Sequence, residues 1–138
     1  MIVLDTNLVS EALRGNPNPQ VMDWLNSQTD GFAITSITIG ELLTGVRLLS
    51  QGKRRDGLEQ AIEGVLLHWA VRFSYDETAA RLYAIMRETA RKQGRGLSVE
   101  DGMIAAICAA HGARLATRNI TDFDFLPVSV VNPWAQDA

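Results

Sequence analysis

The chain carries one cysteine, Cys108, in 138 residues, so no disulfide can form within it and nothing staples the fold covalently. That suits a reducing cytoplasm. Cys108 itself, set among alanines in an apolar stretch, reads as a small core residue. A surplus of positive charge is missing too: thirteen Lys and Arg stand against sixteen Asp and Glu, for a net charge of −3. No bulk basic field advertises nucleic-acid binding, although a local patch or a bound divalent cation would reverse the sign where it matters. There is no basic segment followed by a short apolar one, and no apolar run of bilayer length. The expectation is a soluble cytoplasmic protein with no membrane partner. Repeats, linkers and low-complexity segments are absent as well. What remains is 46% hydrophobic and 21% charged, the balance of one globular domain over residues 1–138 with a core of its own.

Ile2-Val3-Leu4 is apolar without alternation, the pattern of a strand buried on both faces in a parallel sheet. A helix over Thr6 to Arg14 follows, stopped by Gly15-Asn16-Pro17; a second starts at Asn18-Pro19 and buries Val21, Trp24 and Leu25. Phe32 to Thr35 is the second strand. Thr38-Ile39-Gly40-Glu41 opens the next helix, Gln51 to Gly57 forms a polar, basic turn, and Leu58, Ile62, Val65 and Leu66 resume helical spacing. Trp69 to Phe73 supplies a third strand, Asp76 caps a long helix, and Ser98 begins another that Gly112 closes. Leu115 to Thr117 and Val128 to Val131 are strands four and five. Strands alternating with helices predict one α/β domain with a mainly parallel five-stranded sheet, in which Val3, Ile34 and Ala116 occupy adjacent central strands.

Asp5 stands at the carboxyl end of the first strand, where open α/β sheets place their ligands. A carboxylate there is costly unless a cation or several donors meet it, and neither capping nor solvation is its evident task. Three other acids have ordinary explanations. Thr38-x-x-Glu41 fits a capping box, Asp101 stands likewise to Ser98, and Asp122 follows Thr121 in a loop. Their joint placement argues for more. Strand carboxyl ends and the helix N-termini that follow them share one edge of a parallel sheet, which brings Asp5, Glu41 and Asp122 together there; Asp101, early in the helix that returns towards strand four, joins them if that helix starts near the edge. Four crowded carboxylates must share protons or bind cations. Oxygen-only ligands suit Mg²⁺ or Mn²⁺, ions that activate water and steady the charge of phosphoryl transfer.

Leu4-Asp5-Thr6-Asn7, Ser36 with Glu41-Leu42, Asp101 with Ile104-Ala105, and Thr117-Arg118-Asn119-x-x-Asp122-Phe123 together resemble the PIN domain. More narrowly the chain is similar to VapC-type toxins of the FitB-like branch, whose chains also tend to end in Asn-Pro-Trp, as in Asn132-Pro133-Trp134. The resemblance implies a three-layer domain with sheet order 3-2-1-4-5 and a Mg²⁺- or Mn²⁺-dependent endoribonuclease that cuts RNA with metal-activated water. It also implies homodimerisation and a cognate antitoxin that blocks the site, with DNA engaged only through that antitoxin. Asp5, Glu41 and Asp101 match the family's acidic triad. The fourth acid falls at Asp122, because the alternative position holds Asn119, which is left to position water or substrate. Thr6 matches a hydroxyl that accompanies the first acid, to meet substrate or to bond the turn.

Among the cations, Arg118 beside the acidic edge is the candidate for a phosphate contact; Arg14 and Arg95 are weaker ones, and Lys53-Arg54-Arg55 reads as a solvated turn. His68 and His111 have no metal spacing. A phosphatase with an Asp5 nucleophile would want a second Asp where Asn7 stands, and a receiver domain would want its acceptor Asp after the third strand, at Ser74-Tyr75. The remaining alternative is a catalytically silent PIN-like module that engages a protein or RNA partner.

Overall fold

A computed structural model describes residues 1–68 and 71–135. Five strands, β1 (Ile2–Leu4), β2 (Phe32–Thr35), β3 (Arg72–Phe73), β4 (Arg114–Ala116) and β5 (Val130–Val131), form one sheet in the order β3-β2-β1-β4-β5. Every pairing is parallel, with Val3 opposite Ala33 on one side and Leu115 on the other. Val3, Ile34 and Ala116 therefore do lie in adjacent central strands. Trp69 and Ala70, expected to begin the third strand, lie outside the described residues.

Alternation along β1 builds the two cores. Ile2 and Leu4 face one cluster with Leu8, Val21, Leu25, Val46 and Ile62, from α1 (Thr6–Leu13), α2 (Pro19–Ser27), α3 (Ser36–Arg47) and α4 (Lys53–His68). Val3 points the other way, into a cluster with Ala79 and Met86 of α5 (Glu77–Lys92) and Ile104 to Cys108 of α6 (Val99–His111). All three residues of β1 are fully buried, as a strand with a helical layer on each face must be. Cys108 is core; burial pushes its thiol up to about 12, so it is inert.

Two local expectations fail. The cap of α3 is Thr35, whose hydroxyl accepts from the Thr38 N–H, so the helix begins two residues before Thr38 and Thr38-x-x-Glu41 is no capping box. Lys53-Arg54-Arg55 is not a turn either but the first turn of α4, which starts right after Gly52, whose carbonyl accepts from the Asp56 N–H. Lys and Arg are good helix formers on a solvated face, and α4 buries only Ile62 and Leu66.

Candidate active site

The carboxyl edge of the sheet collects the acids. Asp5 directly follows β1 and is also the N-cap of α1, a task the sequence reading denied it. One carboxylate oxygen accepts from the Leu8 N–H at 2.9 Å, the other from the Thr117 hydroxyl at 2.6 Å. With 6% of its surface exposed, Asp5 has its pKa raised to about 6. Burial is the main cause; the two hydrogen bonds oppose it, and the charges of Asp101 and Glu41 add to it.

Glu41 sits in the second turn of α3 and accepts from the Thr6 hydroxyl at 2.7 Å. Asp101 lies in the first turn of α6, its N–H donating to the cap Ser98. Burial raises the Asp101 pKa, a hydrogen bond with Ser98 opposes this, and Asp122, Glu41 and Glu100 add repulsion. Asp101 thus feels two of the other three predicted acids, and Asp5 feels Asp101 in turn. Asp122 stands apart: exposed in a single helical turn at Ile120–Asp122, it acts on Asp101 and is not among the groups that perturb Asp5.

The neighbours are settled by their partners. The Asn119 N–H donates to Thr117. Exposed Arg118 lies over the Trp134 ring, 5.4 Å from its centre. Arg95 donates to the Thr121 carbonyl and the Asp124 carboxylate and covers Phe125, so it pins the loop that carries Asp122. Arg14 forks onto both oxygens of Glu11. Burial of Glu11 would raise its pKa, but the Asn18 N–H, Arg14 and the Trp134 side chain bind the carboxylate and the net shift is downward. Glu11 and Trp134 therefore tie the chain's Asn-Pro-Trp to α1. A groove of about 740 Å³ leads away from Thr6 and Glu41 between α1, α3 and α4, with Leu42, Val46 and Ile62 on its floor and Arg14 and Arg54 at its rim.

Thr117, which the sequence pattern includes without a role, proves to be a partner of Asp5 on this edge. The strand register reveals it: Leu4 pairs with Ala116 in parallel, so the next residues on each strand, Asp5 and Thr117, are neighbours.

No three His, Cys, Asp or Glu side chains among the described residues close a ligand cage. The donors that share this field are all carboxylates, which fits a hard divalent cation that prefers oxygen ligands and keeps several of its own waters. A buried carboxylate whose pKa reaches about 6 is one that a cation would relieve.

A parallel 3-2-1-4-5 sheet with carboxylates gathered on its carboxyl edge defines an α/β class suited to cation-assisted chemistry on phosphates. The chain belongs to the PIN-domain family, whose model matches residues 2–125. Toxin FitB of Neisseria gonorrhoeae (strain ATCC 700825 / FA 1090) is 39% identical to it over 97% of this chain and 99% of that protein. VapC ribonuclease Y4jK of Sinorhizobium fredii (strain NBRC 101917 / NGR234) is 36% identical over 97% and 98%. Among solved structures, FitAB bound to an IR36 DNA fragment superposes with a TM-score of 0.91 at 37% identity, covering 100% of this chain and 99% of that one.

Proposed function

We propose that this chain is the toxin of a toxin–antitoxin pair and a divalent-metal-dependent endoribonuclease. The observation that carries the reading is the shared field of Asp5, Glu41 and Asp101 on the sheet's carboxyl edge, in a chain whose relatives include a VapC ribonuclease and the toxin FitB. Asp5, Glu41 and Asp101 hold Mg²⁺ or Mn²⁺; Asp122, exposed and coupled to Asp101, contributes from the rim. When bound, the ion supplies an acidified water and offsets charge on the phosphodiester. The protein's own part is positional. Thr117 and the Leu8 N–H fix the two oxygens of Asp5, and Thr6 fixes Glu41. Arg118, held against Trp134, meets a backbone phosphate of the RNA, and Asn119 beside it orients substrate or water.

The likeness to FitAB bound to DNA supports an antitoxin partner; the remaining partners are part of the same proposal. A cognate antitoxin covers the site, DNA is reached through that antitoxin, and the toxin pairs with itself. Residues 1–138 act as one PIN-like domain in the cytoplasm; no helix among the described residues is long and apolar enough to cross a membrane.

The test is the chain purified free of partners, incubated with RNA and Mg²⁺, Mn²⁺ or EDTA, with RNA ends mapped and light scattering run alongside to size the oligomer. Cleavage with either metal, none with EDTA, and none by Asp5→Asn or Asp101→Asn is expected. An amide keeps the size and one acceptor but removes the charge that favours dehydrating the ion. Cleavage that persists in both variants sinks the proposal, and a folded chain that binds RNA without cutting it indicates the silent binding module instead.

A further inference from the structure

Behind Glu41 runs a line of threonines. Thr35 and Thr38 are fully buried. The Thr38 N–H donates to Thr35 Oγ1 at 3.1 Å, Thr35 Oγ1 donates to Thr38 Oγ1 at 3.4 Å, Thr38 Oγ1 and Thr6 Oγ1 are 3.1 Å apart, and Thr6 Oγ1 donates to Glu41 Oε1 at 2.7 Å. Each hydroxyl has one proton, and that fixes the direction. Thr6 spends its proton on Glu41, so the hydrogen between Thr6 and Thr38 belongs to Thr38. The Thr38 oxygen then receives the Thr35 proton, and the Thr35 oxygen receives a peptide N–H. All four donors point the same way, from the N-terminal turn of α3 to a carboxylate in its next turn. Aligned hydrogen bonds polarise one another, and the line starts where the helix dipole is positive.

Glu41 is itself exposed, and a free Glu on a helix surface would sample many rotamers. Thr38 lies in the first turn of α3, fully buried, with its hydroxyl in contact with those of Thr35 and Thr6. Its oxygen is the only described link between the buried Thr35 and Thr6.

We propose that Thr38 is a positioning residue for Glu41: acting through Thr6, it aims the Glu41 carboxylate at the acidic edge. This rests on Glu41 being a metal ligand, as proposed above. The test compares the full-length chain with Thr38→Val, Thr38→Ser and Glu41→Gln, by metal-free crystal structures and by calorimetric titration with Mn²⁺. Valine keeps the shape of Thr38 and cuts the line at its middle. In Thr38→Val the Glu41 carboxylate should leave Thr6, and Mn²⁺ affinity should fall about tenfold, the usual scale for losing an outer-shell partner. Thr38→Ser should restore both.

A Thr38→Val crystal that keeps the Glu41–Thr6 contact, with unchanged affinity, overturns the inference. So does a Thr38→Ser variant as impaired as Thr38→Val, since packing rather than the hydroxyl would then be at stake. Glu41→Gln separates the two levels. If it binds Mn²⁺ like the unaltered chain, the metal-ligand reading of Glu41 has failed and the inference falls with it. If it binds weakly while Thr38→Val binds normally, only the inference has failed.

Discussion

Asp5 is a capping residue, a buried acid and a proposed metal ligand at once, and Thr117 makes that combination tolerable. The 2.6 Å bond from Thr117 satisfies the oxygen that the Leu8 N–H does not reach. Thr117→Val should leave that oxygen buried without a donor and cost about 1–3 kcal/mol at pH 7.5. The loss should shrink at pH 5, where Asp5 is protonated and needs less help as an acceptor. Urea melts at both pH values check this, and equal losses at the two would show that packing or the bond from the Asn119 N–H, not the bond to Asp5, is what Thr117 contributes. Asp5 was legible in the sequence as a strand-end acid, and the helix expected from Thr6 already put it at the N-cap, a role that its place at the end of β1 masked. Thr117 needed the strand register, which apolar runs of two to four residues do not fix.

Element by element, the edge depends on how α6 is brought to it. Ser98 caps the helix, and Gly112, at φ +59°, ends it as glycine can without strain. Its start is clamped by α5: Arg87 donates to the Leu97 carbonyl at 2.6 Å and to the Tyr83 hydroxyl at 2.7 Å. Gly102, next to Asp101, is what lets Tyr83 in, because a Cβ there would stand 2.7 Å from Tyr83 Cε2. Overpacking of this kind costs about 1–3 kcal/mol, against up to about 1 kcal/mol gained from better helix propensity. Gly102→Ala should therefore be a net loss, while in a Tyr83→Ala background the same change should be neutral or stabilising. A denaturation cycle over the four proteins measures that coupling, and additive effects would remove Tyr83 from the account. Long helices such as these were legible from periodicity and caps. The starts of α3 and α4 were not, because Thr35 and Thr38 are equally good caps on paper, and Lys53-Arg54-Arg55 has no apolar residue to mark it as helical.

For the whole molecule, the acids make stability depend on pH in a direction that can be worked out. Asp5 and Asp101 have pKa values raised on folding, Asp5 from 3.8 to about 6. The folded state therefore holds protons that the unfolded chain has released, and stability declines as pH rises from about 4 through 6. For Asp5 alone the full loss is on the order of 3 kcal/mol. Glu11 shifts the other way, so its contribution disappears as pH falls below the ordinary glutamate range. The metal-free chain should thus be most stable between these limits and weaker at pH 7.5 than at pH 5.5. A divalent ion prefers ionised ligands and stabilises the fold by mass action, so the rise in Tm on adding Mg²⁺ should be larger at pH 7.5 than at 5.5. Asp5→Asn should flatten the metal-free slope, because asparagine also caps a helix well and carries no proton to release. It should also abolish most of the metal-induced rise. Calorimetric melts of both proteins at the two pH values, with and without Mg²⁺, read all of this. A metal-free Tm that climbs from pH 5.5 to 7.5, or a Mg²⁺ effect that survives Asp5→Asn, would mean that Asp5 is not the acid around which this edge is organised.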